Sequence, residues 1–86
     1  SSAANYGEYQ AFAGTVLQRL GKPAEAADRF RVALQLAPGN GRWWIGLGLA
    51  LDADGHPAEA REAFRRAVAA GQLTPEQASF AEQKSR

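Results

Sequence analysis

His56 is the one histidine in the chain, and there is no cysteine. Metal binding or general-base work would need it to converge with further ligands or an orienting group. It stands instead in Asp54-Gly55-His56-Pro57, a turn sequence, and reads as a solvated turn residue. Glu25 and Glu59 recur 34 residues apart, and two carboxylates brought together could do acid–base chemistry. Each follows a proline, Pro23 or Pro57, by two residues. A carboxylate there faces the positive end of a helix dipole, which accounts for both without catalysis. Arg29, Arg31, Arg61, Arg65 and Arg66 could form a phosphate-binding patch. Asp28, Glu59 and Glu62 interleave with them, so they read as a solvated mixed-charge face. No phosphate-binding loop, nucleophile elbow or metal-ligand spacing occurs. The expectation is a protein with no catalytic residues, no metal site and no cofactor.

The elements around these residues are helical. At 86 residues the chain is one domain with a thin core, since a chain this short buries only about 60–65% of its unfolded surface. Apolar residues make up 45% and charged residues 22%, the balance of a globular domain. A net charge of +1 gives no field to draw nucleic acid or acidic lipid, and no apolar run is long enough to span a bilayer. No basic start followed by an apolar core occurs, so no signal peptide is expected within these residues; Ser1-Ser2-Ala3-Ala4 reads as a tail, and a domain excised from a longer protein would lack any targeting segment. The bacterial cytoplasm and the periplasm both stay open as compartments. Alanine is abundant and arginine far outnumbers lysine, which favours helix and close helix packing.

Glycine and proline divide the chain into five helices. They are expected near 5–20, 23–37, 41–53, 57–70 and 75–84. Asn40 is placed to cap the third. Thr74-Pro75-Glu76-Gln77 is a start signal for the fifth, with a capping threonine and a glutamine three residues on. The second helix should bury Ala26, Phe30, Ala33, Leu34 and Leu36. The fourth should bury Ala60, Ala63, Phe64, Ala67 and Val68.

The stretch Gly21-Lys22-Pro23-Ala24-Glu25-Ala26, with Phe30, Arg31 and Ala33, returns 34 residues later as Gly55-His56-Pro57-Ala58-Glu59-Ala60, with Phe64, Arg65 and Ala67. A period of this length signals a stacked-unit architecture. Trp44, Leu47, Gly48, Leu51, Gly55, Ala60, Phe64 and Ala67 give 41–74 the pattern of large, small and aromatic residues of a tetratricopeptide repeat (TPR). The chain resembles that family. Residues 7–40 match at Gly14, Leu17, Gly21, Ala26, Phe30, Ala33 and Pro38, and depart where Gln10 stands for Trp44 and Ala13 for Leu47. Tyr9 and Phe12 are placed to fill that gap. Gln72 stands where the first unit has Pro38. The resemblance implies an all-α fold: two helix-turn-helix units (7–40 and 41–74) in a right-handed superhelical stack, with a capping helix at 75–86. A second similarity, carried by Trp43 through Asp52, Phe64 and Gly71-Gln72-Leu73, is to the C-terminal TPR region of MSHA-type pilus biogenesis proteins.

In that family the first helix of each unit lines a concave groove. By position this implies Glu8, Ala11, Thr15, Gln18 and Arg19, with Arg42, Ile45, Leu49, Asp52 and Ala53. Some members clamp a peptide carboxylate with lysine and asparagine. Ala11, Thr15, Ile45 and Leu49 occupy those places here, so a carboxylate clamp is not expected. Ile45 and Leu49 suggest an apolar contact edged by Arg42 and Asp52, suited to an amphipathic helix or extended apolar peptide; alternatively they pack within the fold. Trp44 is assigned to the core, and Trp43 is either a packing residue or an exposed interface anchor. The function implied is a protein–protein interaction scaffold within a larger bacterial protein or assembly. Its partner would be another protein or peptide, with no nucleic acid and no membrane insertion. The alternative is a self-association module of a pilus or envelope assembly, through Tyr6, Tyr9 and Phe12.

Overall fold

Two turns of the same construction separate the helix pairs. Gly21 and Gly55 both lie in the left-handed region, at φ 75° and 80°. Glycine enters it without the steric cost that a Cβ brings. Each ends its helix with the same double bond: Lys22 N–H donates to Leu17 O and Gly21 N–H to Gln18 O, and His56 N–H donates to Leu51 O and Gly55 N–H to Asp52 O. This is a Schellman closure, which satisfies carbonyls the helix leaves over. Pro23 and Pro57 then open the next helices with φ already set.

A computed structural model describes residues 2–86. Among them are five α-helices and no strand: α1 (Ser2–Arg19), α2 (Pro23–Leu36), α3 (Gly41–Ala53), α4 (Pro57–Ala70) and α5 (Pro75–Lys84). The first helix begins at Ser2, three residues before the expected start. Ser2–Ala4 extend it as its first turn, because nothing in them interrupts a helix; Ser1 lies outside the described residues. Asn40 caps α3, its Oδ1 accepting from Trp43 N–H at 3.1 Å. Thr74 and Gln77 form the expected capping box, with Thr74 Oγ1 accepting from Gln77 N–H at 3.1 Å and Gln77 Oε1 from Thr74 N–H at 3.0 Å. Replacing Thr74 with alanine is expected to cost about 1 kcal/mol and to speed amide exchange in α5 first. Hydrogen exchange by NMR checks this; loss spread evenly over all five helices would show that α5 does not open by itself.

The helices stack in chain order. α1 packs on α2 and α3 on α4, while α2 joins α3, α4 joins α5, and α1 also touches α3. Small residues set the distances. A Cβ on Gly14 would stand 2.8 Å from Phe30 Cε2, and one on Gly48 would stand 2.8 Å from Phe64 Cε1. The pairs are 34 residues apart, so the same ring-on-glycine contact holds each hairpin closed. Ala26, Ala33, Ala60 and Ala67 are buried around the two rings with Leu34, Leu47 and Leu51.

Three expectations about burial need correcting. Val68 and Leu36 are partly exposed, since Phe64 and Phe30 already fill the inner faces of their helices. Tyr9 and Phe12 do not fill the gap opposite Gln10; both are exposed. Gln10 is itself buried, and its Oε1 accepts from Arg29 Nη1 at 3.2 Å. Arg29 therefore satisfies a buried amide, unlike the rest of the arginines on the charged face. There Arg31 pairs with Asp28, and Arg65 and Arg66 with Glu62. Hydrogen bonds from Arg66 and Arg65 hold the Glu62 carboxyl below its usual range.

Candidate functional site

Residues three, four and seven apart fall on one helical stripe, and α1 and α3 turn such stripes toward each other. Between them lies an open concavity of about 440 Å³. Glu8, Ala11, Phe12 and Thr15 line it from α1; Arg42, Trp43, Ile45, Gly46 and Leu49 line it from α3. Its floor is the ring of Phe30, which reaches through from α2. The ring fits because Gly46 leaves it room: a Cβ there would overlap the ring, with Cδ1 at 2.9 Å. The concavity runs on in two directions. Toward the end of α1, Thr15, Gln18, Arg19, Gly46 and Leu49 enclose about 140 Å³. Toward α5, Arg42 and Ile45 face Glu76, Gln77 and Phe80 around about 220 Å³.

Six of the ten groove residues expected from the sequence meet around the main concavity, Glu8, Ala11, Thr15, Arg42, Ile45 and Leu49, while Arg19 lines only its extension and Ala53 lines neither. Gln18 joins them in its extension. Its Nε2 donates to Leu49 O at 3.3 Å and ties α1 to α3, while its Oε1 is buried without a hydrogen-bond partner. Ile45 is half-buried and packs on the core, whereas Leu49 is exposed. Asp52 does not join them. It lies in the last turn of α3, where Lys84 of α5 draws it across at 3.8 Å, beside a separate depression lined from α4 and α5. The acidic edge of the groove is Glu8. Glu8 and Arg42 enter no ion pair within the chain among the described residues.

Of the two readings of Trp43 the structure has the packing one, and Trp44 packs on the core only in part. Trp43 is not an exposed anchor but a buried residue, 8% accessible. Its ring closes on Gly7 of α1, where a Cβ would stand 3.0 Å from Cη2. Trp44 is the half-exposed one. Its Nε1 donates to Pro38 O at 2.7 Å and the Arg66 guanidinium lies 5.2 Å over its ring. It faces the opposite side of the molecule, among Arg31, Glu59, Glu62 and Arg66.

Sequence reasoning missed Phe12, Phe30, Gly46 and Phe80 as lining residues. Gly46 carried a signal, since a glycine inside a helix costs about 1 kcal/mol relative to alanine and calls for a packing reason. His56 lies near two carboxylates, Asp54 at 3.2 Å and Glu59 at 3.8 Å, on the surface. Among the described residues no group of three or more His, Cys, Asp or Glu is placed to hold a metal, and no helix is long and apolar enough to cross a membrane.

The arrangement offers recognition: an apolar trough with one charge of each sign at its rim. In comparison with known proteins, the tetratricopeptide repeat family model matches residues 13–78. No curated protein matches the chain.

Proposed function

Because the chain belongs to the tetratricopeptide repeat family, whose units generally mediate protein–protein interaction, we propose that it is a binding module that holds a peptide or helix of another protein between α1 and α3. One observation carries this reading: Ile45, Leu49 and the Phe30 ring form one apolar trough bordered by Glu8 and Arg42. The fitting ligand is an extended or helical segment with two or three apolar residues flanked by one basic and one acidic residue. Its basic residue would sit by Glu8 and its acidic residue by Arg42.

In this reading 7–40 and 41–74 act as the two units and 75–86 as the cap. The cap also contributes Phe80 and Glu76 to the groove's far end. The module has no chemistry of its own and serves a larger bacterial protein or assembly. A pilus-biogenesis setting is the alternative, and it rests on the weaker resemblance of residues 43–52 alone.

Selection of peptides from a displayed random library, followed by amide-shift mapping, tests the site. Bound peptides should move the signals of Ala11, Thr15, Gly46 and Leu49 most. The Ile45→Glu/Leu49→Glu variant should keep its helicity and lose at least about tenfold in affinity, or about 1.4 kcal/mol. A folded double variant that binds as the parent does would remove the proposal.

A further inference from the structure

Tyr6, Tyr9, Phe12, Val16 and Leu20 of α1 are all exposed large apolar residues. Steps of three and four place them on one stripe of the helix. The repeat shows what becomes of such a stripe when it is covered. The counterparts of Tyr9, Ala13 and Val16 are Trp43, Leu47 and Ala50 of α3, and all three are buried in the core. α1 does not offer a helix like α2 the same seat, however. Where Gly46 admits the Phe30 ring, α1 carries Phe12.

We propose that this stripe pairs with itself: two copies of the chain dimerise with α1 antiparallel to α1, about a two-fold axis at Ala13. A two-fold contact uses one surface twice, so it requires a stripe complementary to its own reverse. This stripe is. Residues equally far before and after the axis face each other. Tyr6 lies seven residues before Ala13 and Leu20 seven after; Tyr9 lies four before, and Val16 three after. Tyr6 and Tyr9 thus each meet an aliphatic residue of the second copy, while Phe12, one residue from the axis, faces its own counterpart. Ala13, the small member, stands where the backbones cross. The charges obey the same symmetry. Glu8 is five residues before the axis and Arg19 six after. Both lie along one flank of the stripe, next to Phe12, and neither joins an ion pair within the chain among the described residues. The two-fold brings Glu8 of each copy beside Arg19 of the other, so both charges are paired twice. Opposite charges that coincide with apolar matching fix register.

The full chain tests this in two arms. Sedimentation equilibrium over a thousandfold dilution from about 1 mM should show the mass rise from 9.2 kDa toward twice that value. A strict monomer throughout would overturn the proposal. For the register, Glu8→Arg or Arg19→Glu alone should weaken the dimer about tenfold, since each sets like charges together at two places. The double variant should recover to within about threefold of the parent; if it stays as weak as the singles, the antiparallel register is wrong. Cysteine gives an independent readout, because the chain has none. Helices in contact lie about 8–10 Å apart and Cα atoms about 2.3 Å from the axis, so facing Cα atoms come within disulfide range. Ala13→Cys should form a disulfide dimer at least about tenfold faster than Ser79→Cys, an exposed position on α5; equal rates would rule the axis out. Glu8 and Phe12 belong both to this surface and to the rim of the groove, so the separating variant is Ile45→Glu/Leu49→Glu, which changes only the α3 side and should dimerise as the parent does.

Discussion

Phe64→Ala is expected to lower the melting temperature of the protein by at least about 12 °C. Phe64 is the largest fully buried side chain, 1% accessible. Its ring lies on Gly48 of α3 and meets Phe80 of α5 edge-on, with centroids 5.8 Å apart and planes at 83°. The truncation removes what joins α3, α4 and α5, and buried Phe→Ala changes cost about 3–5 kcal/mol. A chain of this length has only about 4–13 kcal/mol in total. The change therefore takes a third or more of the stability at its midpoint. Thermal melting by circular dichroism should show that fall in Tm, at roughly 4–8 °C per kcal/mol. A loss below about 1 kcal/mol would mean that α4 is held by something other than this ring.

Gly46→Val is the second large effect, and it works by excess volume. The new side chain must enter space held by the Phe30 ring, whose Cδ1 would already stand 2.9 Å from a bare Cβ. Phe30 is buried between α1 and α3 and cannot swing aside. Overpacking costs about 1–3 kcal/mol, and a β-branched residue against a fixed ring belongs at the upper end. The small gain in helix propensity over glycine, a few tenths of a kcal/mol, does not offset it. Phe30→Leu supplies the check. In that background the valine has room, and urea melts of the four proteins in the cycle should show the valine costing less than half as much. Equal cost in both backgrounds would place the clash elsewhere.

Local chemistry made most of the fold legible. Gly21, Gly55, Pro23, Pro57, Asn40 and Thr74 each act on residues within one helical turn, so the turns and caps follow from neighbours in the chain. The 34-residue period identified the ring-bearing positions, Phe30 and Phe64, for the same reason. Choices that depend on distant residues were not legible. Trp43 and Trp44 are adjacent and both fall within the apolar arc of α3. Gly7 on α1 decides for Trp43 by leaving space for its ring, and the Pro38 carbonyl and Arg66 hold Trp44 on the other side. Asp52 and Glu8 exchange parts in the groove because Lys84, at the far end of the chain, reaches Asp52. No pattern within α3 carries that information. The groove's apolar floor was hidden as well, since it comes from α2, a helix whose residues the positional reading assigned to the core.

That floor has a mechanical consequence. The Phe30 ring leaves α2, passes between Gly14 and Gly46, and ends at the surface of the trough. It works as a hinge pin between the two hairpins, with its head showing in the cleft. A ligand settled in the trough would rest on the same ring that spaces the two hairpins.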